Sequence, residues 1–183
     1  MHGLIVNQLR SYTLARYGRP AWANAVRDAG VSMPAGPPPF DTPYPDAVVV
    51  SLVVAMAQRA GREVAEVVEE FGAFLAPALL RVYEPLIRPQ WRTLDVVENV
   101  EEHVHTAVRM RDSTAGPPYL RARRRSATEV EVIYTSPRRL CALAEGIVRG
   151  LGEHFAEPIA ISQPECMLRG DAQCVILVER PRE

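Results

Sequence analysis

Three sets of side chains in this sequence can do chemistry. His103 and His105 stand two residues apart, and each offers an imidazole whose neutral nitrogen can hold a transition metal near neutral pH. Further on, Tyr134-Thr135-Ser136-Pro137-Arg138 places a phenol, a hydroxyl and a guanidinium at alternate positions. The first two donate hydrogen bonds and the third is a planar, charged fork, so together they suit a carboxylate. Cys141, Cys166 and Cys174 could supply thiolates to zinc. Each set also has a plainer reading. A helical histidine is most often a surface or boundary residue, Ser136 can be a simple N-cap with Arg138 a surface charge, and three cysteines can be small buried thiols.

The elements that must position these groups can be read from apolar spacing and breakers. The histidines lie on a helix expected from Leu94 to about Met110, with Thr93 as its N-cap candidate. Val97, Val100, Val104 and Val108 mark its buried stripe, and the two histidines flank that stripe from opposite sides. Helical phase therefore does not choose between them. Glu129–Tyr134 alternates charged and apolar residues as a half-buried strand does, and Ser136 is expected to cap a helix from Pro137 to about Phe155. On that reading Tyr134, Ser136 and Arg138 converge at a strand-to-helix junction, where free backbone N–H groups and a positive dipole end add to the anion site.

Upstream, helices are expected over Leu4–Tyr17 and Pro20–Ala29, the first ended by Gly18-Arg19-Pro20. The stretch 34–45 holds six prolines and reads as an extended loop. Asp46 should cap a helix to about Gln58, and a further helix should run from Val64 to about Tyr83 with a kink or break at Pro77. Downstream, Ile159–Ser162, Cys166–Arg169 and Cys174–Glu179 read as short strands, the last two joined through Gly170-Asp171. Cys166 and Cys174 would share a sheet face only across a loop with an odd residue count. The sum is an α+β chain, a helical N-terminal subdomain packed on a C-terminal antiparallel sheet with helices.

The bulk properties exclude several function classes. A chain of 183 residues suits one domain. Its formal charge of −1 argues against a nucleic-acid binder, so the run Arg121–Arg125 reads as a solvated strand or loop. The longest apolar run, Ala47–Ala57, is interrupted by Ser51 and is too short to span a membrane. No secretory leader is read at the N-terminus, and a cytoplasmic location is expected. There is no nucleophile elbow, H-E-x-x-H motif or phosphate-binding glycine loop, so an enzyme is not expected.

Those residues resemble the heme–nitric oxide/oxygen binding (H-NOX) family. Met1-His2-Gly3-Leu4-Ile5-Val6 looks like the family's opening, Tyr134-x-Ser136-x-Arg138 is its Y-x-S-x-R signature, and Leu143–Phe155 resembles the helix that follows. The resemblance spans essentially the whole chain. It implies a single H-NOX-like domain over 1–183, with a helical lobe over about 1–62 and a heme-proximal helix and sheet lobe over about 63–183. It implies a heme b whose iron is held by His105, since counting from Pro118 and Tyr134 selects His105 over His103. Tyr134, Ser136 and Arg138 would grip the propionates, and Pro118 would press on the porphyrin.

The resemblance also places Ile5, Leu9, Leu75, Leu79, Leu143 and Ile147 around the gas site. Oxygen-stable members carry a tyrosine where this chain has Leu143, with polar support near Leu9 and Leu75. The expectation is therefore a sensor that binds nitric oxide and carbon monoxide, excludes dioxygen, and signals to a separate protein such as a histidine kinase or diguanylate cyclase. A heme-free or other-ligand regulatory scaffold of the same fold is the alternative. Cys166-x7-Cys174 looks like a zinc site of some bacterial members, in which a histidine occupies the position of Gln163. That departure puts the fourth ligand in doubt, with His154 the only nearby substitute.

Overall fold

The computed structural model describes residues 1–111 and 116–181. The chain divides into two compact units, Met1–Phe71 and Gly72–Glu183.

In the first unit, α1 (Gly3–Tyr17) ends at Gly18, whose φ of 83° permits a sharp turn directly into α2 (Arg19–Asp28), with a proline in its first turn. α3 (Asp46–Ala60) closes on Gly61 in the left-handed conformation. α1 packs on α2, and α2 on α3. Val6, Leu9, Tyr12, Leu52, Ala57 and Val67 are at most 2% exposed and form the interior. The proline-rich stretch is irregular, as its sequence requires, and lies against the start of α1. A Cβ on Gly3 would collide with the Pro39 carbonyl, and the Asn7 amide donates to the Pro38 carbonyl at 2.9 Å. Asp46 is not the expected cap. It is the first helical residue, and its carboxylate pairs with the Met1 amino group at 2.8 Å.

α4 (Val64–Val82) contributes its first half to this unit and its second half to the next. It continues through Pro77 without a break.

The second unit is built on a four-stranded antiparallel sheet, ordered β1-β2-β4-β3. Its strands are β1 (Tyr119–Ser126), β2 (Glu129–Thr135), β3 (Ala160–Glu165) and β4 (Cys174–Glu179). The run Arg121–Arg125 lies in β1, an edge strand. Along β2, Val130, Val132 and Tyr134 point inward; along β4, Cys174, Ile176 and Val178 do the same. This period-two pattern gives the sheet one buried face. α5 (Thr93–Val100) and α7 (Cys141–Phe155) cover that face, and their Leu94, Val97, Val148 and Leu151 complete the core. α7 meets α4 backbone to backbone. A Cβ on Gly72 would stand 2.5 Å from the Leu143 carbonyl, and one on Gly150 would collide with the Ala73 carbonyl.

Four local expectations need correction. Thr93 is the first residue of α5, and Arg92 occupies the capping position, its N–H donating to Asp95. The helix that follows is not uniform. A π-turn over Glu101–His105 separates α5 from α6 (Thr106–Arg111). Ser136 does not start a helix; Arg139 adopts φ 51°, which turns the chain and delays α7 until Cys141. Cys166–Arg169 is not a strand. Met167–Arg169 forms one 3-10 turn, and β4 pairs with β3 instead. Cys166 therefore lies outside the ladder, and the loop-parity condition does not govern its position.

Among the described residues no helix is long and apolar enough to cross a membrane.

Candidate functional site

The two histidines that sequence spacing left equivalent have different surroundings. His103 packs its ring edge-on against Trp91, centroids 5.0 Å apart, and its Nδ1 lies 3.3 Å from the Asn99 carbonyl. It is accounted for by packing. His105 closes the π-turn with its side chain 16% exposed, and its Nδ1 lies 2.9 Å from Oε2 of Glu101. A carboxylate accepts, so Nδ1 is the donor, and a neutral ring then keeps its lone pair on Nε2. Burial holds the His105 pKa below its ordinary value, against the opposing pull of Glu101 and the Pro118 carbonyl. The ring is thus neutral at pH 7, the form that ligates a metal.

Glu101 was not singled out from sequence, although a carboxylate four residues before a histidine on a helix was a signal for it. Its Oε2 also accepts from the Leu120 N–H at 3.1 Å, while the Arg109 guanidinium donates to its Oε1. Burial works against the Glu101 carboxylate, but His105, Arg109 and the Leu120 N–H outweigh it and bring its pKa below the usual range. Pro118 is half-buried, two residues before Leu120.

The Tyr-Ser-Arg motif is only partly convergent. Tyr134 and Ser136 are 3% and 4% exposed, and their side chains hydrogen-bond to each other. Burial raises the Tyr134 pKa, so the phenol keeps its proton. The Leu140 N–H donates to the Tyr134 hydroxyl at 3.2 Å, and the Arg138 N–H to the Ser136 hydroxyl at 3.2 Å. The Arg138 guanidinium donates to the Gly116 carbonyl, which ties the motif to the segment leading into Pro118. The helix end expected at Ser136 lies instead at Cys141, so its dipole is not aimed from the motif itself.

The apolar residues assigned to the gas site divide between the units. Ile5 is half-buried and Leu9 wholly buried on α1. In the second unit Leu75 is wholly buried on α4, and Leu79 on α4 and Leu143 and Ile147 on α7 are half-buried. The Gly72–Gly146 backbone contact is where α4 and α7 cross.

The three cysteines do come together. Sγ of Cys141 is 3.6 Å from that of Cys166, which is 4.0 Å from that of Cys174, and all three sulfurs lie within 4.8 Å of one another. Tetrahedral zinc with bonds of about 2.3 Å spaces its sulfurs by roughly 3.8 Å. The Leu168 N–H donates to Cys166 Sγ and the Met167 N–H to Cys174 Sγ. Burial raises the Cys141 thiol and pushes Cys174 up to about 12. Burial also disfavours the Cys166 thiolate, yet the Leu168 N–H and the neighbouring thiols prevail and lower its pKa. Among the described residues no imidazole joins the cluster. His154 stacks edge-on against Phe155 at 5.0 Å, and the side chain beside Cys141 is that of Gln163.

Comparison with known proteins identifies the fold and the family. No curated protein matches the chain. Among solved structures, an H-NOX protein from S. oneidensis in its Fe(II)NO ligation state is 25% identical, with a TM-score of 0.90 and both chains covered in full. The H-NOX domain of Shewanella oneidensis in its Fe(II)CO state is 26% identical, with a TM-score of 0.86 and both chains covered in full. The Fe(II) unliganded H-NOX protein from K. algicida shares the fold at 14% identity, with a TM-score of 0.86 over 100% of this chain and 98% of that one. The family model described as Haem-NO-binding matches residues 2–163. With its fold and its signature motif in agreement, the chain belongs to the Haem-NO-binding family, a family of heme-based gas sensors.

Proposed function

We propose that the chain is a nitric oxide sensor that holds heme b on His105 and signals to a separate protein. The observation that carries this reading is the half-sequestered His105 ring, its Nδ1 committed to Glu101 and its other nitrogen left with a lone pair. The donor set fits the group. One neutral imidazole suits the iron, and the Tyr134 and Ser136 hydroxyls with the Arg138 guanidinium suit the propionate carboxylates. A heme bound here supplies a ferrous iron able to take nitric oxide or carbon monoxide, the ligands carried by the two S. oneidensis relatives.

The chain's own residues set selectivity and output. Ile5, Leu9, Leu75, Leu79, Leu143 and Ile147 offer no hydrogen-bond donor to a bound gas. Dioxygen gains from such a donor and nitric oxide does not need one. Its absence costs dioxygen about 1.5–3 kcal/mol, more than a tenfold loss of affinity. Pro118 would press on a bound porphyrin. A change in the pull on the His105 ring would pass into the helical segment that carries it, and from there to a partner such as a histidine kinase or diguanylate cyclase. The three thiols would supply three ligands to a zinc ion, should one bind there.

The test is the absorption spectrum of purified ferrous protein, first in air and then under nitric oxide, repeated with His105→Gly. The expected result is a Soret band that ignores air, shifts under nitric oxide, and loses its histidine-ligated form in the variant. A stable oxygenated spectrum, or no heme uptake at all, contradicts the reading.

A further inference from the structure

We infer that Glu101 is a positioning residue for the iron ligand, tuning His105 through Nδ1, with Arg109 setting the strength of that effect. The inference rests on the reading that His105 ligates heme iron. Four observations converge on Glu101. Its carboxylate lies 2.9 Å from His105 Nδ1. The same carboxylate is fixed from two further sides, by the Leu120 N–H on β1 and by Arg109 on α6. Its side chain is 24% exposed and that of His105 16%, so the contact is partly withdrawn from water. Finally, Glu101 and His105 are the first and last residues of the π-turn, and the turn is closed by Thr106, whose N–H and hydroxyl both bond the Glu101 carbonyl. Backbone and side chain of Glu101 are thus both committed to holding this one turn.

A surface ion pair contributes little, but this arrangement is not a simple pair. A carboxylate that accepts the Nδ1 proton draws it away from the ring and makes the opposite nitrogen a more basic ligand. It also locks the tautomer and the ring plane. A more basic imidazole favours the more highly charged ferric iron, so Glu101 lowers the potential and tightens the iron–His105 bond. Arg109 acts in the opposite sense, since a cation on Oε1 withdraws charge from the carboxylate. Among the described residues the other terminal nitrogen of Arg109, Nη1, is buried without a hydrogen-bond partner, and the guanidinium lies over the Tyr119 ring at 5.2 Å. The two residues therefore predict shifts of opposite sign, which a merely structural role does not.

The experiment uses heme-loaded protein carrying Glu101→Gln, Glu101→Asp or Arg109→Met, and reads the iron–histidine stretching band by resonance Raman together with the midpoint potential. Glu101→Gln keeps the shape and removes the charge. It is expected to lower the stretching frequency and raise the potential, by about 59 mV if the preference for ferric iron weakens tenfold. Arg109→Met should move both readouts the other way, and Glu101→Asp should restore part of the wild-type band. Should Glu101→Gln fail to fold, Arg109→Met and the wild-type His105 ring nitrogens, followed by 15N NMR in heme-free protein, still decide the matter, with the proton expected on Nδ1. A wild-type iron–histidine band that neither substitution moves overturns the inference and leaves the sensor reading intact. If the wild-type protein binds heme but gives no iron–histidine band, His105 is not the ligand and both fall.

Discussion

The second unit holds two groups of potential metal ligands, and they are supported in contrasting ways. His105 is oriented by side chains. Glu101 takes its Nδ1 proton, and Arg109 and the Leu120 N–H hold Glu101. The thiols are oriented by backbone, through N–H groups of the short turn after Cys166 that point at Cys166 and Cys174. A site supported by charged side chains can be tuned one residue at a time. A site supported by main-chain donors keeps its character until a ligand itself is removed. The contrast explains why neighbouring substitutions should grade the properties of one site and leave the other nearly unchanged.

The strongest way to break that contrast is a crossed experiment. His105→Gly should abolish histidine ligation of heme, a larger effect than the roughly 10–100-fold typical of an outer partner, while zinc content measured by mass spectrometry stays at the wild-type level. Cys166→Ser should empty the zinc position in reduced protein and leave the Soret band in place. Loss of both groups in either variant would mean that the sites are not independently built. Wild-type reduced protein without zinc would reduce the thiol cluster to packing.

A second, smaller effect tests the scaffold between these sites. α7 runs from Cys141 past Leu143 and Ile147, and it approaches α4 where only a hydrogen fits. Gly72→Ala should overpack that contact and cost about 1–3 kcal/mol. For a chain of this length that lowers Tm by roughly 2–12 °C in thermal unfolding. An unchanged Tm would show that the helices separate readily.

The smallest effect uses the first unit as a control. Burial works against the Glu70 carboxylate, but the guanidiniums of Arg62 and Arg16 bring its pKa below the ordinary value. A group depressed on folding stabilises fully above its unfolded pKa, about 4.3, and that contribution is lost as pH falls through the folded value. Glu70→Gln should therefore weaken the protein at neutral pH and flatten the acid limb below about pH 4. Because the group is partly exposed, the change should stay under about 1 kcal/mol. Heme and zinc content should not respond. A denaturation series over pH 3–7 reads all of this.

Much of the architecture was legible because it follows from local rules. Gly18 and Pro20 punctuate α1 and α2, the prolines exclude regular structure over 34–45, and the alternation in β2 announces a sheet with one buried face. What escaped the sequence depends on backbone choices that residue type does not announce. Arginine rarely adopts positive φ, so nothing in Ser136-Pro137-Arg138-Arg139 signalled that Arg139 would, or that α7 would wait for Cys141. The segment Cys166–Arg169 reads as a strand in sequence, while its shape is set by main-chain N–H groups finding sulfur and by Asp171 accepting from the Cys166 N–H. Helical phase did not separate His103 from His105 because their neighbours do: Trp91 packs on one, and Glu101 takes the Nδ1 proton of the other.

That wider winding has a further consequence. A π-turn carries one residue more than an α-turn, so everything after Thr106 is rotated by about 100° from where an unbroken helix would carry it. The offset is what lets Arg109, eight residues after Glu101, swing back onto the Glu101 carboxylate. Chain length between Val100 and Thr106 thus acts as an angular setting. Straightening that turn without changing the residue count would carry Arg109 about 100° around the helix and off the Glu101 carboxylate.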